Sequence, residues 1–328
     1  MTSEMPHVGV IGAGAWGTAL AILANRAGSK ATMWTRNTQV IDSIRSRREN
    51  AQYLSEQFID PSIEITDSTN FLASCDMLVI TIPAQSLRTV AISLSDAVPS
   101  NVPVILATKG IERGSLMLMS EVLQSILPYN PVAVLSGPNF AKEAAAGLPT
   151  ATTLSLLQTQ IADKIIFALG GKYFRLYVND DPIGTQVGGA VKNVLAIAAG
   201  IVEGRKLGEN ARAALITRGM TEIARLAKAK GGKEETLMGL SGIGDIMLTC
   251  MSTKSRNYSL GVSIGRGTMR ASGGLTEGVA TAESVTQLAR KLGVAMPIAF
   301  AVHDVLTGSM QIGTAIERLL ERPLVSEL

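Results

Sequence analysis

The chain has 328 residues, 46% hydrophobic and 17% charged, which is long enough for two domains and a sizeable core. Lys and Arg number 30 against 27 Asp and Glu; the net charge of +3 and the lack of a long basic run make no case for a nucleic-acid partner. The only cysteines, Cys75 and Cys250, show no metal-binding spacing, so no metal is expected and both read as buried cytosolic thiols.

The N-terminal residues Met1-Thr2-Ser3-Glu4-Met5-Pro6 carry no basic or apolar leader, so no signal peptide is expected. The first predicted strand covers residues 8–11 and stops at Gly12-Ala13-Gly14-Ala15-Trp16-Gly17. A helix is predicted directly after it, over 18–27. In this strand–turn–helix setting each glycine has a physical task. Gly12 allows the sharp turn, Gly14 lets the backbone approach a pyrophosphate, and Gly17 lets helix and strand pack closely. The helix N-terminus adds unpaired N–H groups and a partial positive charge, which points to a bound dinucleotide.

The second strand, 31–35, ends in Thr35-Arg36-Asn37 rather than in an acid. An acid at this place would bond a ribose 2′-hydroxyl and select NAD. Arg36 instead offers a guanidinium to a 2′-phosphate, which favours NADP(H), with NAD(H) as the alternative. A solvated surface arginine is the plainer reading of Arg36, and the glycine fingerprint alone leaves a flavin open. Helix 39–49, strand 77–82, helix 85–96, strand 104–107, helix 116–127, strand 132–135, helix 140–146 and strands 152–156 and 174–178 follow. The first five strands are nearly continuous apolar runs, as in strands buried on both faces of a parallel sheet.

The character changes at Asp180-Asp181-Pro182, where a proline opens a helix. Beyond it only helices are predicted: 187–202, 211–228, 283–292, 300–306 and 312–320. The expected fold class is therefore α/β, with an N-terminal Rossmann-type doubly wound sheet over residues 1–181 and a mostly α-helical C-terminal domain over 182–328. Residues 183–202 are long and apolar enough to span a membrane, yet they contain Gln186, Lys192 and Asn193. Those groups are costly in lipid, so a buried core helix is expected and no transmembrane segment.

Several residues are candidates for chemistry. Lys192 is the only charged residue between Asp181 and Glu203, within Gly188-Gly189-Ala190-Val191-Lys192-Asn193. A lysine on a helix apolar nearly all round is buried, and burial lowers its pKa into a range useful for proton transfer. The alternative is a lysine that snorkels to water. Lys109, in Thr108-Lys109-Gly110, follows a strand end, where ligands of open α/β sheets bind. In Ser136-Gly137-Pro138-Asn139, Gly137 permits close backbone approach and Asn139 is placed to cap the next helix. Asp245 lies in the glycine-rich stretch Ser241-Gly242-Ile243-Gly244 and needs a cation or substrate hydroxyls as partner. Ser255-Arg256-Asn257 offers hydroxyl, guanidinium and amide donors in succession, a set suited to a phosphate dianion, or else an exposed polar loop. His7 and His303 read as structural.

Together the pieces resemble the soluble, bacterial-type NAD(P)-dependent sn-glycerol-3-phosphate dehydrogenases over essentially the whole chain. The resemblance rests on the glycine loop with Thr18-Ala19-Leu20, on Ala107-Thr108-Lys109-Gly110, on Ser136-Gly137-Pro138-Asn139-Phe140-Ala141-Lys142-Glu143, on the Lys192 segment and on Lys254-Ser255-Arg256-Asn257. It implies interconversion of dihydroxyacetone phosphate and sn-glycerol 3-phosphate, a cytoplasmic homodimer and a supply of glycerol 3-phosphate for phospholipid synthesis. It implies Lys192 as the catalytic proton carrier, with Lys109, Gly137, Asn139, Asp245, Ser255, Arg256 and Asn257 around the substrate. Cofactor contacts are implied for Ala15, Trp16, Arg36, Lys109, Ala141, Arg256, Leu275 and Glu277, beside Gly12, Gly14 and Gly17 of the loop. Three motifs depart from the family's common pattern: at Ala15 and Asn139, where serine, or threonine and serine, are frequent, and at Leu275-Thr276-Glu277-Gly278, where Val-Val-Glu-Gly is usual. Two other readings compete: a related dehydrogenase acting on another hydroxy acid or sugar phosphate, and a noncatalytic NADP sensor. A sensor has no need of a buried proton donor.

Overall fold

The structure, a computed structural model, describes residues 5–268 and 277–321. Eight strands form one sheet: β1 (His7–Ile11), β2 (Lys30–Trp34), β3 (Glu64–Thr66), β4 (Met77–Ile80), β5 (Val104–Leu106), β6 (Val132–Ser136), β7 (Thr150–Ser155) and β8 (Phe174–Asn179). The helices are α1 (Ala15–Arg26), α2 (Thr38–Arg47), α3 (Leu87–Leu94), α4 (Met119–Gln124), α5 (Ala141–Ala145), α6 (Ala162–Leu169), α7 (Pro182–Gly204), α8 (Glu209–Ala229), α9 (Asp245–Cys250), α10 (Arg256–Gly265), α11 (Glu277–Lys291), α12 (Pro297–Thr307) and α13 (Ile312–Leu320).

The strand order is β3-β2-β1-β4-β5-β6-β7-β8, and every pairing is parallel except β6 with β7. Val10 pairs with Met33 on one side and Val79 on the other. Val8 and Val10 pack under α1, α5 and α6, while Ile11, Leu78 and Ile80 pack on the opposite face with α3 and α4. That two-sided burial is why the strands read as continuous apolar runs. The winding reverses between β1 and β4, and the crevice above their carboxyl ends is where such sheets bind ligands.

The helical half is organised around α7. Asp181 caps it by accepting from the Gly184 N–H at 2.9 Å, with Pro182 in the first turn. The apolar stretch long enough to cross a membrane is this helix, and 94% of its most apolar window is buried inside the protein. Its closest neighbour is α10. A Cβ at Gly200 would lie 2.2 Å from the Tyr258 carbonyl, and one at Gly261 would lie 2.1 Å from that of Ile197. Only glycine allows this backbone contact, and Gly204 and Gly265 repeat it one turn further along.

The elements differ from expectation in a few places. Segment 116–127 was expected to be helical throughout, but Leu116 has φ +62° and α4 begins only at Met119. Helix α2 stops at Arg48, whose φ is +53°. Strand β3 and helices α6, α9 and α10 were not anticipated. Cys75 and Cys250 are buried and unpaired, and burial pushes both thiols up to about 12.

Candidate active site

The carboxyl ends of β1, β4, β5 and β6 open into a cleft of about 740 Å³. Its floor is the turn after β1, where Gly12 has φ +110°. The Thr81 hydroxyl donates to the Gly12 carbonyl at 2.9 Å and pins the turn to the end of β4. A Cβ at Gly17 would lie 1.9 Å from the Gly12 carbonyl, so this buried glycine serves the packing of α1 against the turn. Around Gly14 the opposite holds: a Cβ there would meet nothing within 4 Å. No side chain caps α1, and its first turn has no acid. The loop is thus free to receive an anion from the cleft side. Its room, its glycines and its uncapped helix all fit the pyrophosphate of a dinucleotide.

Ala15, Trp16, Lys109, Asn139, Ala141, Arg256 and Glu277 also line the cleft. Trp16 is braced edge-on by Phe174, with ring centroids 6.4 Å apart. Arg36 lies outside these walls. It is exposed, and its guanidinium stands 6.0 Å from the Trp34 ring centroid, beside the lining residues Thr35 and Asn37. Leu275 lies outside the described residues.

Behind the cleft wall is a compact ionic cluster. Asp245, 1% exposed, takes the Lys192 ammonium on Oδ1 and the Lys109 ammonium on Oδ2, the latter at 2.7 Å. Lys192 also donates to the Thr249 hydroxyl at 3.0 Å. Glycines admit this geometry. A Cβ at Gly189 would lie 2.7 Å from the Ser136 hydroxyl, and one at Gly188 would lie 2.7 Å from the Ser241 carbonyl. Helix α7 therefore sits directly against β6 and against a single π-type turn (Leu240–Gly244) that leads into Asp245. Burial brings Lys192 down from the ordinary lysine range to about 8. Asp245 opposes that shift, and the positive charge of Lys109 adds to it. Loss of water outweighs both of these neighbouring charges. The lysine does not snorkel outward.

Across the cleft, the exposed Arg256 begins α10. Ser255 caps this helix by accepting from the Tyr258 N–H at 3.3 Å, and Asn257 Oδ1 accepts from the Gly278 N–H at 3.2 Å. Among the described residues neither the Ser255 hydroxyl nor the Asn257 amide donates a hydrogen bond. Glu277 is held above the usual carboxylate range by burial, against the pull of Arg256, Lys109 and Lys192. Lys254 bonds Glu143 at 2.7 Å and joins the helical half to α5.

One expectation is corrected. Asn139 does not cap the following helix; α5 starts after Phe140 with no side-chain cap. The Asn139 oxygen instead accepts from the Thr152 hydroxyl at 3.0 Å, and its amide donates to the Ala151 and Pro138 carbonyls at 3.3 Å. Gly137 makes the same strand contact possible, since a Cβ there would lie 2.9 Å from the Thr152 Cα. The antiparallel β6–β7 pairing brings these groups together. Thr249 stands in the stretch after Asp245 but was given no role from sequence, and Thr81 was not singled out, because a threonine by itself carries no pattern.

Residues 7–162 match the model for the N-terminus of NAD-dependent glycerol-3-phosphate dehydrogenase, and 181–317 match the model for its C-terminus. The chain belongs to this family. It is 46% identical to glycerol-3-phosphate dehydrogenase [NAD(P)+] of Rhodospirillum rubrum, covering 99% of this chain and 95% of that one. It is 46% identical to the protein of the same name from Parvibaculum lavamentivorans, with both chains covered in full. The crystal structure of glycerol-3-phosphate dehydrogenase from Coxiella burnetii superimposes with a TM-score of 0.92 at 38% identity, covering 97% of this chain and 99% of that one. The fold class of this family member is the α/β sheet plus helical domain expected from its sequence.

Proposed function

We propose that this chain interconverts dihydroxyacetone phosphate and sn-glycerol 3-phosphate, with NADP(H) as coenzyme and NAD(H) as the alternative. One observation carries the reading: a buried lysine, brought to about 8, shares a carboxylate with a second lysine that lines the dinucleotide cleft. When bound, the nicotinamide supplies or takes the hydride at C2. The protein's own groups do the rest.

In the reduction, the Lys192 ammonium donates a proton to the C2 oxygen and is left neutral. In the oxidation, neutral Lys192 takes that proton from the C2 hydroxyl. A group near 8 serves both directions, because its two forms are both populated close to neutrality. Asp245 holds the ammonium in place and keeps its pKa from falling further. Arg256 meets the substrate phosphate with its planar fork, helped by the Ser255 hydroxyl and the Asn257 amide at the start of α10. Gly137 and Asn139 shape the wall beside Lys109. Gly12, Gly14, Ala15, Trp16, Ala141 and Glu277 face the coenzyme, and Arg36 is placed for a 2′-phosphate at its edge. We divide the chain into a coenzyme domain, 1–181, and a substrate domain, 182–328. The family reading carries with it a cytoplasmic homodimer without a nucleic-acid partner, feeding glycerophospholipid synthesis.

The test is to add dihydroxyacetone phosphate to the protein with NADPH or NADH and follow the reduced-nicotinamide absorbance. Oxidation of NADPH in preference to NADH is expected. No oxidation of either coenzyme would sink the proposal.

A further inference from the structure

The phosphate loop is held from behind by a residue outside every motif discussed above. Asn50 is fully buried, at 0% exposure, just after α2. Its Nδ2 donates to the Ala13 carbonyl and to the Thr18 hydroxyl, both at 2.8 Å. Its Oδ1 accepts from the Tyr53 N–H at 3.3 Å, and its own carbonyl accepts from the Leu54 N–H at 2.8 Å. These last bonds fold residues 50–54 into a turn, and Gln52 and Tyr53 of that turn line the cleft. The Asn37 amide donates to Gln52 Oε1 at 3.2 Å and ties the turn to the start of α2.

We propose that Asn50 is a positioning residue for the dinucleotide: it aims the Gly14 N–H at the pyrophosphate and joins the 50–54 wall to the phosphate loop. The inference rests on the coenzyme reading above. A trans peptide points its C=O and N–H in opposite directions. The Ala13 carbonyl is drawn inward onto a fully buried amide, so the Gly14 N–H of the same peptide is turned away from the core. No protein acceptor for that N–H is found among the described residues, and the space beside Gly14 is open. Both donor hydrogens of Asn50 are spent on the loop and its oxygen on the turn, so it acts through the loop and not by contact with the ligand.

Asn130 provides a matched control. It is 4% exposed and donates to the Pro99 and Val102 carbonyls, each at 2.9 Å, away from the cleft. The experiment compares wild type, N50D, N50S and N130D. NADPH and NADH dissociation constants are read directly from quenching of tryptophan fluorescence, since Trp16 lines the cleft. Melting temperatures and the KM for dihydroxyacetone phosphate at saturating coenzyme are measured alongside. N50D loses both donated bonds and leaves buried acceptors facing a carboxylate. Its coenzyme dissociation constant is expected to rise about tenfold or more, with substrate KM within about twofold of wild type. At acid pH the protonated carboxyl of N50D donates one bond again, so part of the affinity returns. N130D is expected to lose thermal stability yet keep wild-type coenzyme affinity. If N50D does not fold, N50S carries the comparison, with N130S beside it. Coenzyme binding by a folded Asn50 variant as tight as wild type overturns the inference, as does an equal loss in N130D. A wild-type protein that binds neither coenzyme overturns the coenzyme reading and this inference with it.

Discussion

Exchanging Asp245 for Asn tests the proton-transfer reading most sharply, because the sign of the effect is set by the geometry. Asp245 bonds both lysine ammonium groups and is the main influence that raises Lys192 against its burial. Removing the charge while keeping the shape takes that support away. An adjacent opposite charge shifts a pKa by about 1–3 units, so Lys192 is expected to fall from about 8 by that amount. Oxidation of glycerol 3-phosphate needs the neutral amine and rises with pH through the Lys192 pKa. Reduction needs the ammonium and falls with rising pH through the same midpoint. In Asp245→Asn both limbs move to lower pH. At pH 8 the ammonium fraction drops from about a half to between about 9% and 0.1%, costing the reduction roughly 5- to 500-fold from protonation alone. The assay is kcat/KM in both directions over about pH 4.5–10, read as the difference from wild type so that the substrate's second phosphate ionisation near 6 cancels. Lys109→Met supplies the opposite sign, because the Lys109 charge lowers Lys192. Its midpoint is expected to rise, whatever the loss in KM. Midpoints that stay put in both variants, or that move together, would refute the argument.

Three further outcomes are expected. Lys192→Met removes the proton carrier and should lower turnover by about two to four decades while coenzyme affinity persists, which a direct binding titration checks. Arg256→Ala deletes a charged donor set worth about 1.5–3 kcal/mol, so the KM for dihydroxyacetone phosphate should rise about tenfold to a hundredfold; an unchanged KM would show that the phosphate lies elsewhere. Arg36→Ala should erode the preference for NADPH over NADH without lowering turnover with NADH. An unaltered ratio of kcat/KM for the two coenzymes removes Arg36 from the 2′-phosphate site.

Legibility in this sequence follows the range of the interactions. The turn after β1 was readable because strand, glycines and helix are contiguous, and the structure bears out the turn at Gly12 and the close packing at Gly17. Lys192 was readable because one charge in a helix apolar on all sides has nowhere to go but inside. Strand β3 is three residues long with a single buried position, too short to show a pattern. Leu116 belongs to a run of good helix formers, yet its backbone is left-handed, since the segment reads as helix only while its neighbours are ignored. Helix α10 was missed for another reason: its packing signal is an absence of side chains. The spacing Gly261 to Gly265 faces Gly200 to Gly204, and four-residue glycine spacing on two segments was there to be read as one close helix crossing.

The partners within the site were the least legible part. Asp245 in an apolar stretch demanded a cation or substrate hydroxyls, and Lys192 in an apolar helix demanded burial, with no partner named for it. Each demand was local, while the answer spans 53 residues to Lys192 and 136 to Lys109. Asn139 shows the same limit from the other side. Its place before a helix satisfied the local rule for a cap, but the antiparallel return of β7 brought Thr152 and two carbonyls within reach, and those bonds prevailed. Local chemistry therefore states what a buried polar group requires, and only the closure of the chain decides which residue supplies it. A carboxylate claimed by two lysines from different halves of the molecule is a product of that closure, so the lowering of Lys192 to about 8 depends on how the sheet and the helical half meet.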